Sequence, residues 1–276
     1  MENKEITEIE LDLMLEAVYR RYGYDFRSYA RSMLKRRSVQ FLSGTGCRNF
    51  SEATGMLLRD PGLFQRLITC FSITVTEMFR DPVFYLGLRE KVVPMLRTWH
   101  HFKIWHAGCA TGEEAYSLAI LLEEEGLYDR AGLYATDISQ VAIDTARAGI
   151  YDMKTIRQGS LNHRESGGSG SFARHYHARY NAAVLNQSLK RCITFATHNL
   201  AMDSAFGEMQ AIICRNVLIY FNQDLKDRIL RMFAECLANG GFLCLGNRES
   251  LEFSAVSDVF ETVDREARIY KKKAVT

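Results

Sequence analysis

The stretch Lys103 to Gly126, KIWHAGCATGEEAYSLAILLEEEG, sets a small-residue turn between an apolar run and an apolar helix and opens that helix with two acids. Glycine at such a junction lets a ligand or another backbone approach closely. The spacing Gly108-x-Ala110-x-Gly112 is not the GxGxxG of dinucleotide enzymes, and no P-loop lysine follows it. A phosphate at this helix start would face Glu113 and Glu114 at short range and be repelled, whereas a cation would be attracted. The acids themselves are favoured by the positive end of the helix. About twenty-five residues after Gly112, the run YATDIS puts Asp137 at the end of a second apolar segment, where an acid accepts hydrogen bonds from ribose hydroxyls.

A ribose, a positive charge and no need for a phosphate cradle together describe S-adenosyl-L-methionine, whose sulfonium and amino groups are cationic and whose adenosine carries a diol. The same residues have a second reading, in which Gly108 and Gly112 permit tight packing and Asp137 caps a helix. Spacing alone leaves both open.

The elements that must position these residues are readable from periodicity. From Lys103 onward, apolar runs alternate with helical patterns: KIWHA, a helix over 113–125, LYATD, a helix over 139–148, CITFAT, AIICRN, a helix over 224–238 ended by Asn239-Gly240-Gly241, and GFLCLG. This predicts parallel strands with right-handed crossovers, hence a doubly wound Rossmann-like α/β sheet, closed by an antiparallel hairpin over 257–262 and 267–272. The segment 159–191 breaks the alternation with a Gly/Ser-rich loop and short alternating pieces, and predicts a small inserted antiparallel β subdomain. Before the sheet, residues 1–72 show helical spacing only and predict a small all-helical N-terminal domain. A linker and helix fill 73–102, with Asp81 as cap and Pro82 in the first turn.

Bulk properties narrow the function classes. The 276-residue chain is 47% hydrophobic and carries a formal charge of +2, too mild for recognition of nucleic acid or membrane by bulk charge. Its seven cysteines form no CxxC pair, which argues against a disulfide frame and a structural zinc site. The first ten residues lack the basic and apolar regions of a signal peptide, and no run has the length of a membrane span. A cytoplasmic, metal-free, monomeric protein is expected, with no nucleic-acid partner and no direct membrane insertion.

The blocks VTEMFRDP (75–82), IWHAGCATGEEAYSLAI (104–120), ATDIS, HNL (198–200), CRNVLIYF (214–221) and GGFLCLG occur in the order seen in the CheR family, the chemotaxis-receptor protein-glutamate O-methyltransferases, which the chain resembles over nearly its whole length. The resemblance implies a class I methyltransferase sheet using S-adenosyl-L-methionine and releasing S-adenosyl-L-homocysteine. It implies that Thr76 and Arg80 close over the cofactor, that Glu113 holds its methionine end and Asp137 its ribose, that Asn199 and Leu200 surround the adenine, that Asn216 and Val217 form the mouth near the methyl group, and that Thr74 and Gly108 also belong to the cofactor site. Tyr220 and Arg215, beside that mouth, either orient the incoming carboxylate or stabilise the strand end. Two positions depart from the pattern: Thr74 stands where asparagine is frequent, and His106 where many class I methyltransferases carry an acid.

The implied reaction is an in-line displacement in which a substrate glutamate attacks the methyl carbon. A carboxylate with a reference pKa of about 4.3 is already ionised at neutral pH, so alignment and exclusion of water carry the catalysis and no strong base is needed. For the substrate, Arg27, Arg31 and Lys35 predict an i, i+4, i+8 basic ridge on one helix, with Arg36 beside it. The implied partner is the helical cytoplasmic region of methyl-accepting chemotaxis receptors, with the protein recruited to membrane-bound receptor arrays. A solvated helix face is the alternative reading of the ridge. Two further functions compete: a class I methyltransferase acting on RNA or a small acid, and a non-catalytic S-adenosylmethionine-binding signalling module.

Overall fold

A computed structural model describes residues 2–72 and 74–274, the side chains of 2–4 aside. The chain divides into two compact units. One comprises the described residues up to 72 with Asn199–Ser204 and Ile219–Ile229, and the other comprises Thr74–His198, Ala205–Leu218 and the rest of the C-terminal part.

The first unit is built on helices α1 (Glu2–Tyr22), α2 (Arg31–Ser43), α3 (Phe50–Leu57) and α4 (Pro61–Phe71), as predicted. Local chemistry sets two of the starts. Asn49 caps α3 by accepting from the Glu52 N–H, and Asp60 caps α4 by accepting from Gly62 and Leu63 with Pro61 in the first turn. Leu11, Met14, Leu15 and Val18 of α1 are buried, and α1 packs against α3, whose Phe50 and Leu57 are buried as well. Residues 219–222 join this unit through the segment before α2: the Ala30 N–H donates to the Tyr220 carbonyl at 2.8 Å, and the rings of Tyr29 and Phe221 meet edge to face.

The second unit opens with α5 (Pro82–Gly87), a π turn (Leu88–Val92) and α6 (Val93–Leu96) in one run. Pro94 explains the π turn, since its ring clashes with a carbonyl one turn back and it has no N–H; the Val93 N–H reaches back five residues to Leu88. Phe84, Tyr85, Leu88, Val92 and Leu96 are buried in the main core, so the predicted linker is part of this unit. Asp81, predicted as a side-chain cap, makes no capping bond and has left-handed backbone (φ 58°) because its carboxylate is drawn to Arg215.

The sheet is the predicted doubly wound one. Strands β1 (Phe102–Ala107), β2 (Ala131–Asp137), β3 (Ile150–Asp152), β4 (Tyr176–Arg179), β5 (Ala182–Leu185), β6 (Ile193–Thr197), β7 (Met209–Cys214), β8 (Leu237–Leu245), β9 (Phe260–Asp264) and β10 (Ile269–Lys272) form two sheets. Seven stand in the order β6-β2-β1-β7-β8-β10-β9, parallel from β6 to β8, with β10 and β9 antiparallel at one side. Helices α7 (Glu113–Glu124) and α8 (Gln140–Ala148) connect the first strands. The order reverses at β1, which lies between β2 and β7, so the loops after these three strands emerge together.

Two predicted boundaries move. Helix α9 (Met153–Glu165) covers the start of the predicted insertion, and the small sheet β3-β5-β4 takes its first strand from before it. Gly159 lies inside α9 because a Cβ there would come within 2.6 Å of the Met78 Cβ, so it serves close packing and breaks nothing. The loop after α9 is fastened: Glu124 accepts from His163 Nε2 at 2.8 Å and from the Ser169 N–H at 3.1 Å, and pairs with Arg89. Helix α10 (Gln223–Cys236) ends before Asn239-Gly240-Gly241, which continue as part of β8 instead of terminating the helix.

Candidate active site

The turn after β1 is left-handed at three positions, Gly108 (φ 87°), Ala110 (φ 48°) and Gly112 (φ 94°). The Gly108 and Cys109 N–H groups both donate to the Thr136 carbonyl at the end of β2. The Ala110 N–H donates to Asp137 Oδ2 at 2.9 Å, while Asp137 Oδ1 accepts from the Ser139 N–H at 2.9 Å. Asp137 therefore ties the two strand-end loops together, and the cap of α8 is Ser139, whose hydroxyl accepts from Ala142.

The glycines turn out to serve packing as well as access. A Cβ on Gly112 would lie 2.7 Å from the Ala146 Cβ of α8, and one on Gly108 would lie 2.4 Å from Val217 Cγ2. Gly108 and Val217 are thus brought together.

The two acids that open α7 have separate tasks. Glu113 is 6% exposed and accepts from the Thr111 hydroxyl at 2.6 Å. Burial pushes its carboxyl up, partly offset by Thr111. Thr111 is held in turn by Tyr151, whose hydroxyl donates to its carbonyl. Glu114 instead accepts from Arg215 Nη1 at 2.7 Å, with His106 Nδ1 3.6 Å from its other oxygen. His106, placed where an acid is common, stands beside an acid supplied by the helix.

Arg215, read as a candidate for orienting a substrate carboxylate, is already bound to three oxygens: Glu114, Asp81 and the Arg80 carbonyl. These bonds hold it beside the end of β7. It fastens the bend at Phe79 and Asp81, both with positive φ, to the C-terminal end of β7. The same bend is held by the Phe79 N–H donating to Ser117 Oγ and by Asn162 Nδ2 donating to the Met78 carbonyl. Arg80 reaches back to the Val75 carbonyl at 3.3 Å, and Thr74 and Thr76 are half-buried in the preceding segment.

Asn216 has left-handed backbone (φ 60°), and its N–H and that of Val217 both donate to Glu249. Sequence reasoning missed Glu249; the signal was an acid three residues after Gly246, at the end of a strand that neighbours β7. Tyr220, Asn199 and Leu200 belong to the helical unit. There Asn199 Oδ1 accepts from Ala201, and the Asn199 N–H donates to Asp203.

The substrate ridge needs correction. Helix α2 starts at Arg31, so Arg27 precedes it and shares no helical face with Arg31 and Lys35. Acids of α1 and a neighbour already compensate the charges: Arg27 pairs with Glu16 and Asp25, Arg31 with Glu8 and Asp12, and Lys35 with Glu8. Arg36 is exposed on α2. Among the described residues no group of acids, histidines and cysteines could hold a metal ion, and no helix is long and apolar enough to cross a membrane.

Comparison with known proteins agrees with this layout. Residues 74–269 match the CheR methyltransferase, SAM binding domain, and residues 9–72 match the CheR methyltransferase, all-alpha domain. The Pseudomonas putida protein Cher3, whose name carries a provisional methyltransferase assignment, is 48% identical over 99% of this chain and 100% of its own. Chemotaxis protein methyltransferase 1 of Vibrio cholerae is 35% identical over 74% of each chain. The solved PKMT2 of Rickettsia typhi aligns with 62% of this chain and 26% of its own at 17% identity, with a TM-score of 0.37.

Proposed function

The chain belongs to the CheR methyltransferase family and is an S-adenosylmethionine-dependent enzyme, and from that premise we propose that it methylates glutamate side-chain carboxylates of methyl-accepting chemotaxis receptors. The observation that carries the reading is the pair of carboxylates at the turn after β1. Asp137 is fixed to that turn through the Ala110 N–H, and Glu113 through the Thr111 hydroxyl. An acid-lined, left-handed turn fits a cationic nucleoside and repels a pyrophosphate.

In this reading Glu113 holds the amino acid end of the cofactor, Asp137 the ribose, and Asn216 with Val217 the end that carries the methyl group. When bound, S-adenosylmethionine would supply an electrophilic methyl on a sulfonium, whose transfer to a carboxylate oxygen with cleavage of the carbon–sulfur bond gives a methyl ester and S-adenosylhomocysteine. The protein's own contribution is alignment. Arg215 and Ser117 fix the bend that leads into Arg80, so that Thr76 and Arg80 lie ready to exclude water over the bound cofactor. Tyr220 is assigned to orienting the incoming carboxylate, which arrives ionised. Arg36 is assigned to the docking surface for an acidic receptor helix, with the protein acting as a monomer in the cytoplasm beside receptor arrays. The names of the Vibrio cholerae relative and of a Listeria monocytogenes chemotaxis protein methyltransferase, 28% identical over 89% of this chain, support a receptor substrate.

Incubation with methyl-labelled cofactor and receptor fragments tests the proposal. Label appearing in the receptor and released as methanol by mild base is the expected result. Label in RNA, in a small acid or in no acceptor would refute it.

A further inference from the structure

We propose that Glu249 is a positioning residue for methyl transfer, acting through the backbone of Asn216 and Val217. Strands β7 and β8 are parallel neighbours and end in register, Cys214 opposite Leu245, so the loops that follow them leave the sheet side by side. Three backbone N–H groups from these loops converge on one carboxylate. Glu249 Oε2 accepts from Asn216 at 2.9 Å and from Gly246 at 2.7 Å, and Oε1 accepts from Val217 at 2.9 Å. The side chain is buried, with the residue 5% exposed.

Successive N–H groups around a left-handed residue form a concave bend that attracts an anion. Here the chain fills that bend with its own carboxylate. The fit depends on glycine, because a Cβ on Gly246 would lie 2.7 Å from the Asn216 N and 2.8 Å from Glu249 Oε2. The Glu249 N–H closes the turn by donating to the Gly246 carbonyl at 2.9 Å. Held this way, Val217 lies against Gly108, whose turn is tied to Asp137 through Ala110. The clamp at Glu249 therefore propagates by direct contact to the turn assigned to the cofactor. With three N–H donors on its two oxygens, Glu249 acts as a fixed acceptor.

This inference rests on the assignment of Asn216 and Val217 to the methyl end of the cofactor. Its test compares the full-length protein with Glu249→Gln, which keeps the volume but offers one acceptor oxygen and an NH₂ that must face at least one of the three donors. Losing bonds to a charged acceptor weakens the bend, so S-adenosylhomocysteine affinity by calorimetry is expected to fall about fivefold or more, and kcat about tenfold or more. The KM for the receptor fragment is expected to stay within about twofold, a split that general destabilisation does not produce. Glu249→Asp, which keeps the charge, is expected to recover part of the loss. A folded Glu249→Gln with affinity and kcat both within about twofold of the parent overturns the proposal. Should that variant fail to fold, Glu249→Asp decides by the same criteria. A parent protein that methylates no receptor fragment refutes the substrate reading alone, and the S-adenosylhomocysteine measurement then decides this one.

Discussion

Arg215 donates to Glu114 at 2.7 Å across 101 residues of sequence, with its guanidinium carbon 4.1 Å from the centre of the Phe84 ring. Removing the cation takes from Glu114 and Asp81 the guanidinium that both bind. Arg215→Met is expected to cost about 3–5 kcal/mol of stability in urea unfolding at neutral pH. Burial pushes the Glu114 carboxyl up, but Arg215 and His106 outweigh it and hold it below its ordinary 4.5. A depressed carboxyl contributes stability that is present above the unfolded value and lost as pH falls through the folded one. Without Arg215, burial is opposed by His106 alone, so the cost of Arg215→Met is expected to shrink as pH falls below about 4.5.

Gly108→Ala meets two obstacles, a backbone at φ 87° and the Val217 methyl 2.4 Å from the new Cβ. The first costs about 1–2 kcal/mol, and the second moves Val217. Cofactor affinity by calorimetry is expected to fall about tenfold or more. Val217→Ala in the same chain is expected to restore part of that affinity, because the pair is in contact and the two effects do not add. Equal losses with and without Val217→Ala would show that the clash is relieved elsewhere.

His175 is buried, and burial with help from Arg174 lowers its pKa from 6.5 to about 4, although Glu123 lies 3.3 Å from its Nδ1. The folded state therefore prefers the neutral ring. The associated stability is complete above 6.5 and declines as pH falls from there towards about 4, because the unfolded chain takes up the proton first. Replacing His175 by Gln is expected to flatten the stability profile in that window, measured by thermal melts at successive pH values.

The α1–α2 contacts separate two substitutions that sequence alone would treat as equivalent. Arg31→Glu sets a third acid against Glu8 and Asp12, and is expected to lower the melting temperature of the protein. Arg36→Glu, on the exposed side of α2, is expected to raise the KM for receptor fragments at least about threefold with unchanged cofactor affinity. Unchanged turnover by Arg36→Glu would return that face of the helix to solvent.

The sheet was legible because a strand and a helix leave different periods in the sequence, and the turn was legible because glycines and acids stand within eight residues of one another. What escaped were contacts made across the chain. Nothing local to Arg215 announces Glu114, and nothing local to Asn216 announces Glu249, since each bond depends on which strands become neighbours. Polar helices escaped for another reason. The stretch after Met153 has few apolar residues, so its period is faint, and Gly159 and Asn239-Gly240-Gly241 read as breaks although Gly159 lies inside α9 and the other three inside β8. The basic ridge was misread because charge on one helix was counted without the acids of the helix packed against it.

The hairpin of β9 and β10 shields the flank of the parallel strands. Strand β10 occupies the hydrogen-bonding groups of β8 from Phe242 to Cys244, and the outermost strand, β9, presents Glu261, paired loosely with Lys271, in place of an apolar row. Cutting the chain before Phe260 would strip that shield and leave a sticky seam of unpaired backbone N–H and C=O groups, to which a second molecule would readily zip. Shortened forms of the enzyme would accordingly be lost to precipitation before their catalysis could be judged, so inactivity in them would say nothing about whether the tail takes part in the reaction.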